Sequence, residues 1–302
     1  MTFRTNASAH FVCALSLLIV FSNCFLAKAA VTERTATSAG VLIGPCGAAA
    51  ALGPKGNDDD YSNASIDGKM AATGEGLTTT PASVVFKNTV ENAGNGDDAF
   101  MITAPFLAAG FTIEISDDFG EHYTTLDRWT SSVTLPVSYR ASLTFLVRIT
   151  APSGLKVLTA YDTVIRATST IDPVVTNDTI DRIYTGFIRL QSTARVVSAN
   201  GSDDIAKAVP GSEIEFAITY TNISSNEGTG NALLTGTNLA ITEDGAAAPS
   251  NWATTTNHIV GASDTLGGYI VGDREGSTSL TDIVMTVGAG QSGVFKFKRR
   301  VK

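Results

Sequence analysis

The chain has 302 residues, 43% of them hydrophobic, with 21 basic against 29 acidic side chains. That length suits about two domains with buried cores. The acid excess excludes a basic field of the kind that holds nucleic acid.

Residues 1–29 read as a cleaved secretory leader. A short start carrying Arg4 runs into the apolar stretch "FVCALSLLIVFSNCFL" and then "AKAA", with cleavage expected after Ala29. The apolar run is shorter than the ~20 residues of a membrane span and contains Ser16, Ser22 and Asn23. Asn23 directly before Cys24 argues against a lipoprotein start. The expectation is an exported chain with no transmembrane segment after cleavage, its destination the cell surface, the periplasm or the medium. From Ala30 onward 19 basic residues face 29 acidic ones, a net of −10. Cys13 and Cys24 leave with the leader, so Cys46 stands alone. Two readings of it remain: a cross-link between chains, or an inert small residue in "GPCGAAAALG". The lack of a nearby Lys, Arg or His to activate the thiolate favours the second.

Residues 30–80 are rich in Gly, Ala, Thr and Asp with weak periodicity. They are expected to be irregular and partly packed on a first β-sandwich that begins at residue 81. Beyond them come short β-branched and aromatic runs bounded by turn residues: "SVVFKNTV", "GFTIEIS", "SVTLPV", "SLTFLVRI", "DTVIRATS" and "IDRIYTGFIRLQSTARVV". "SEIEFAITYTN", "NLAITED", "GGYIVGD", "TDIVMTV" and "GVFKFKRRV" continue the style. Ile214, Phe216, Ile218 and Tyr220 alternate with Glu213, Glu215, Ala217 and Thr219, the pattern of a half-buried strand. In "KFKRRVK" Lys296 and Lys298 are placed on a wet face, where lysines discourage edge-to-edge pairing. No long amphipathic helix is predicted. The fold class is all-β, two tandem sandwiches.

The chain also repeats itself. "FKNTVEN" (86–92) aligns with "FAITYTN" (216–222) at an offset of 130, and each runs into a Gly/Asn-rich corner, "AGNGDD" or "ISSNEGTGN". "TLPVSYRASLTF" (134–145) aligns with "VMTVGAGQSGVF" (284–295) at an offset of 150, which leaves an insertion in the second copy at 242–268. The sandwiches are expected at 81–190 and 191–302.

"AVPGSEIEFAITYTNISSNEGTGN" resembles the opening strand of the bacterial surface conserved repeat domain, Domain of Unknown Function 11. "VVFKNTVENAGNGDDAFMITAP" is similar to the immunoglobulin-like domains that flank secreted glycosidases and envelope proteins. The resemblance implies immunoglobulin-like sandwiches in an exported bacterial protein and carries little about chemistry. The end at "FKFKRRVK", with no sorting signal after it, departs from cell-wall members and speaks against C-terminal anchoring.

Few stretches look like sites. "TVENAGNGDD" lacks the helix or lysine of a phosphate cradle, and its adjacent Asp97 and Asp98 would point to opposite faces of a strand. It is expected to be a hairpin corner in which Asn95-Gly96 supplies positive φ. "GNDDDYSNASIDG" (56–68) is the metal candidate, with Asp58, Asp60 and Asp67 as calcium ligands. The spacing fails the helix-loop-helix pattern, and a solvated acidic turn competes. "DDFG" (117–120) is a turn between strands. His122 and His258 are too few for a histidine-rich zinc site, and neither G-x-S-x-G nor H-E-x-x-H occurs. Trp129 and Trp252, with Tyr123 and Tyr269, are the candidates for stacking on sugar rings if exposed; burial at sandwich edges is the competing reading. The function these observations imply is non-catalytic: an exported structural or interaction module whose partner is an envelope protein, a polysaccharide or itself. The alternative is a carbohydrate-binding module. No cofactor is expected beyond calcium.

Overall fold

Along Ala82–Asn92 (β3), buried and exposed side chains alternate, with Val84, Phe86, Asn88, Val90 and Asn92 turned inward. That two-residue period makes one face of a sheet and recurs in most strands of the chain. The structure, a computed structural model, describes residues 36–66, 81–127, 131–198, 207–248 and 251–302. The chain divides into units 1–36 and 37–302, and all the strands belong to the second. The described residues contain no helix.

The first sandwich packs two five-stranded sheets face to face. One orders Val41–Pro45 (β1), β3, Ser142–Ala151 (β8), Thr112–Ser116 (β5) and Thr124–Leu126 (β6). The other orders Tyr61–Ser65 (β2), Thr176–Tyr184 (β10), Ala160–Ser169 (β9), Asp98–Leu107 (β4) and Val133–Val137 (β7). All pairs are antiparallel except β2 with β10, which is parallel. Ile43, Phe100, Ile102, Ile113, Phe145, Val147 and Ile149 fill the space between the sheets. The outward faces carry cross-strand ion pairs: Arg166 with Asp178, Arg182 with Asp162, and Arg148 with Glu114, each doubly hydrogen-bonded at 2.6–2.9 Å.

The second sandwich is smaller. Ile188–Ser198 (β11), Glu213–Asn222 (β12), Ser292–Val301 (β17) and Thr256–Asp264 (β14) form one sheet. Gly236–Asp244 (β13), Ser279–Val287 (β16) and Tyr269–Val271 (β15) form the other. Its core centres on Tyr220, Trp252, Leu280, Val287, Phe295 and Phe297, with Phe216 stacked on Phe297 at 5.0 Å.

Four expectations change. The segment 30–80 is not wholly irregular: β1 and β2 lie in it, and each completes one sheet of the first sandwich. The boundary at 190/191 falls inside β11, which pairs with β12 and so belongs to the second sandwich from Ile188. Strand β17 is no edge but lies between β12 and β14, and it turns Arg299 inward between exposed Lys298 and Arg300. Nor is "AGNGDD" a hairpin. β3 and β4 lie in different sheets, so the corner is an arch from one sheet to the other.

In that arch positive φ is not what the glycines supply. A Cβ on Gly94 would stand 2.6 Å from the Ser38 carbonyl oxygen, because residues 38–40 run close beside the loop. Ala93 N donates to Gly40 O at 3.0 Å, and Ser38 N donates to Asn95 Oδ1 at 2.7 Å. The bend itself is held by Asn92, whose Nδ2 donates to Gly96 O and Val137 O, both at 2.9 Å, while its Oδ1 accepts from Gly94 N at 3.0 Å.

The two sandwiches meet through β2. Leu52 and Thr229 exchange backbone hydrogen bonds at 2.8 Å, and Ala232 N donates to Tyr61 O at 3.1 Å. Tyr61 Oη donates to Glu227 O at 2.6 Å, Asn63 Nδ2 to Ser225 O at 3.1 Å, and Ser225 N to Tyr184 Oη at 3.1 Å. Asn231 accepts from Tyr61 N at 2.8 Å and donates to Leu52 O at 2.9 Å. The corner of the second sandwich is thereby bonded to the edge of the first.

Candidate functional site

Alternation in β10 ought to bury its apolar residues, yet the inward positions before Ile183 are Asn177, Thr179 and Asp181. The outward positions include Asp178 and Arg182, which the ion pairs with Arg166 and Asp162 hold on the wet face. A polar strip is therefore forced between the sheets, and the neighbouring strands match it. Asn177 Oδ1 accepts from Ile43 N of β1 at 2.6 Å. Thr179 Oγ1 donates to Asp60 Oδ1. Asn88 Nδ2, from β3, donates to Asp181 Oδ2 at 2.9 Å. Ser62 is the parallel Cα partner of Asp181 across β2 and β10.

Asp60, Asn88 and Asp181 are wholly buried and Ser62 is 4% exposed. One oxygen of each has no hydrogen-bond partner: Asp60 Oδ2, Ser62 Oγ, Asn88 Oδ1 and Asp181 Oδ1. Buried polar atoms nearly always find partners, so four orphans in one place are unusual. Burial pushes the Asp60 carboxyl up to about 8, against the Thr179 hydrogen bond that favours the ion, and Asp59 and Asp58 add to the rise. Asp181 is also pushed up to about 8, by burial and then by the charge of Asp60, with its Asn88 hydrogen bond opposing.

The calcium candidates divide. Asp60 faces this cluster. Asp58 Oδ1 instead accepts from Asn177 Nδ2 at 2.7 Å and Asp178 N at 3.2 Å. Asp67 lies outside the described residues. Sequence reading missed Ser62, Asn88 and Asp181; the available signal was the run of polar residues at every second position of "TNDTIDRIY".

A second carboxyl pair, half-buried Asp264 and buried Asp282, comes from the two sheets of the second sandwich. Asp264, ending β14, accepts from Tyr220 Oη at 2.7 Å, Leu266 N at 2.7 Å and Gly268 N at 3.0 Å. Asp282 on β16 is fully buried, and no donor reaches either of its oxygens. Burial pushes it up to about 6, and the charge of Asp264 adds to the rise.

Trp252 does not offer a stacking face. It is 6% exposed, its Nε1 donates to Glu243 Oε1 at 3.1 Å, and the Arg299 guanidinium lies 3.7 Å from its ring centroid. Within the insertion, residues from 251 on place it in the core and add β14 beside β17. Trp129 lies outside the described residues. Tyr123 is covered by Arg148 at 3.8 Å, whereas Tyr269 is 71% exposed. His258 is buried and pairs through Nε2 with Asp273 Oδ1 at 2.7 Å. Asp118, Glu121 and His122 bring three ligand atoms within 4.8 Å, but on an exposed turn where Asp118 already accepts from Ser116 Oγ and His122 N. Asp97 and Asp98 are also structural, accepting from Tyr139 N and from the Ser169 and Thr170 hydroxyls. Cys46 is exposed in the turn after β1.

The strands and registers define a tandem β-sandwich protein. No family model matches the chain, and no curated protein does. Among solved structures it is similar to the Streptococcus agalactiae AgI/II polypeptide BspA C terminal domain, at 7% identity and a TM-score of 0.36, over 88% of this chain and 92% of that one. It is also similar to the secreted serine protease VesC from Vibrio cholerae, at 10% identity and a TM-score of 0.24, over 74% of this chain and 44% of that one. No helix among the described residues is long and apolar enough to cross a membrane.

Proposed function

We propose that this chain is a non-catalytic, exported structural or interaction module of the bacterial envelope or extracellular space, contacting an envelope protein or polysaccharide through its outer strands. The observation that carries this reading is the junction at β2. Backbone and side-chain hydrogen bonds from Leu52, Tyr61, Asn63 and Tyr184 to residues 225–232 tie the two sandwiches into one body. A stiff pair of sandwiches suits spacing and display. Polar groups that resemble catalytic ones serve the fold: His258 and Asp273 pin a loop, and Asp98 ties β4 to the end of β9. Export rests on residues 1–29, which lie outside the described residues.

Cross-linking in the native envelope tests the proposal. Capture of a defined envelope protein or polysaccharide is the expected result. Turnover of a glycan or peptide by the purified chain, abolished by substitution of one carboxylate or histidine, would overturn it.

A further inference from the structure

We propose that Asp60, Ser62, Asn88 and Asp181 form a buried site for a hard divalent cation of the calcium class, set between the two sheets of the first sandwich. Each residue brings one unpartnered oxygen, Asp60 Oδ2, Ser62 Oγ, Asn88 Oδ1 and Asp181 Oδ1, from β2 with the residue before it, β3 and β10. Asn88 bonds Asp181 directly, and Ser62 stands opposite Asp181 in register. Asp60 shares a face with Ser62, two residues along the same chain path. Thr179 and Asn88 orient the two carboxylates through their other oxygens, as groups behind metal ligands commonly do.

The chemistry selects the ion. An all-oxygen set with two carboxylates suits a hard cation, and their combined charge matches a divalent one. Arg182, beside Asp181 on β10, is engaged by Asp162 on the opposite face of that strand. Magnesium retains several waters and demands near-octahedral geometry, which an enclosed space between sheets disfavours. Calcium takes about 6–8 oxygens at flexible geometry, and Asp60 Oδ2, Ser62 Oγ, Asn88 Oδ1 and Asp181 Oδ1 supply four of them. Such an ion would tie β2 to β3 and β10, and β2 is the strand on which the second sandwich is seated.

The test uses the purified chain, stripped with a chelator and then titrated with calcium, magnesium or sodium chloride. At calcium a hundredfold above its Kd, the thermal midpoint rises by about 5–10 °C, and dialysis finds one calcium bound per chain. D60N and D181N lose both responses, and D58N keeps them. S62A, which removes one ligand with little change in volume, needs on the order of tenfold more calcium for the same shift. An unchanged midpoint with no calcium bound overturns the site and leaves a buried pair of protonated carboxyls. A response that survives in D60N and D181N, or one that magnesium or sodium equals, overturns it too.

Discussion

Asn92 and Asn222 occupy the same place in the two sandwiches and share three corresponding hydrogen bonds. Each ends the long inner strand, and each donates Nδ2 to the carbonyl of the valine ending a strand of the opposite sheet, Val137 at 2.9 Å and Val287 at 3.0 Å. Each accepts on Oδ1 from the amide two residues on, Gly94 or Ser224, at 3.0 Å. Their own amides donate to Ala141 O and Gln291 O. The offsets of 130 for the asparagines and 150 for their partners are those of the sequence repeat. The side chain thus joins the two sheets at one end of each sandwich.

Replacing either asparagine strips buried carbonyls of their donor. Asn92→Ala and Asn222→Ala should each cost about 3 kcal/mol, lowering the thermal midpoint by about 6–12 °C. Asn→Asp should be no milder, because an acid keeps the acceptor toward the amide but turns an oxygen toward two carbonyls. Calorimetry of the four variants checks this; a loss well under about 1 kcal/mol would contradict a joining role for the corner.

Arg299 is a buried cation held without a carboxylate. Its Nε donates to Thr256 Oγ1 at 2.7 Å, Nη1 to Ser277 O at 3.0 Å and Nη2 to Thr256 O at 3.0 Å, with Trp252 against its face. Burial lowers its guanidinium to about 10. Lysine cannot reproduce that fork or lie flat on the ring. Arg299→Lys should therefore cost about 2–3 kcal/mol and shift Trp252 emission to the red, read with Trp129 replaced by Phe.

Asp282 gives the second sandwich a pH dependence. Its folded value, about 6, lies above the ordinary 3.8, so the folded chain keeps a proton that the unfolded chain releases. The stability it contributes is full below about 4 and is lost as pH rises through about 6. Asp282→Asn carries no titration and keeps the side chain's volume. Relative to wild type, the variant should gain roughly 2 kcal/mol between pH 4 and about 7 in urea unfolding. A difference constant with pH would contradict this.

Much of the fold is legible because alternation is a local signal. Val84, Phe86 and Val90 mark β3 without reference to any other strand, and the two asparagine corners align by eye. Strands β1 and β2 are harder to see, since each has five residues set among Gly, Ala and Asp, and "YSNAS" buries polar side chains. An arch between sheets and a hairpin within one use the same turn residues, so only the pairing of β4 with β7 and β9 separates them. The cluster around Asp60 and Asp181 is illegible for a different reason. Its members come from residues 60, 62, 88 and 181, and their meeting is set by the parallel register of β2 on β10. Trp252 misleads because its burial depends on Arg299, far along the chain on β17.

That the two sandwiches form one rigid body through β2 is tested most directly by a distance between spin labels. In a chain lacking residues 1–29, with Cys46 replaced by Ser, labels at Lys87→Cys and Lys298→Cys sit on exposed positions of β3 and β17. Pulsed electron resonance should give one narrow distance distribution, which Asn231→Ala broadens by removing the bonds to Tyr61 N and Leu52 O. A broad distribution before any such substitution would contradict a rigid pair.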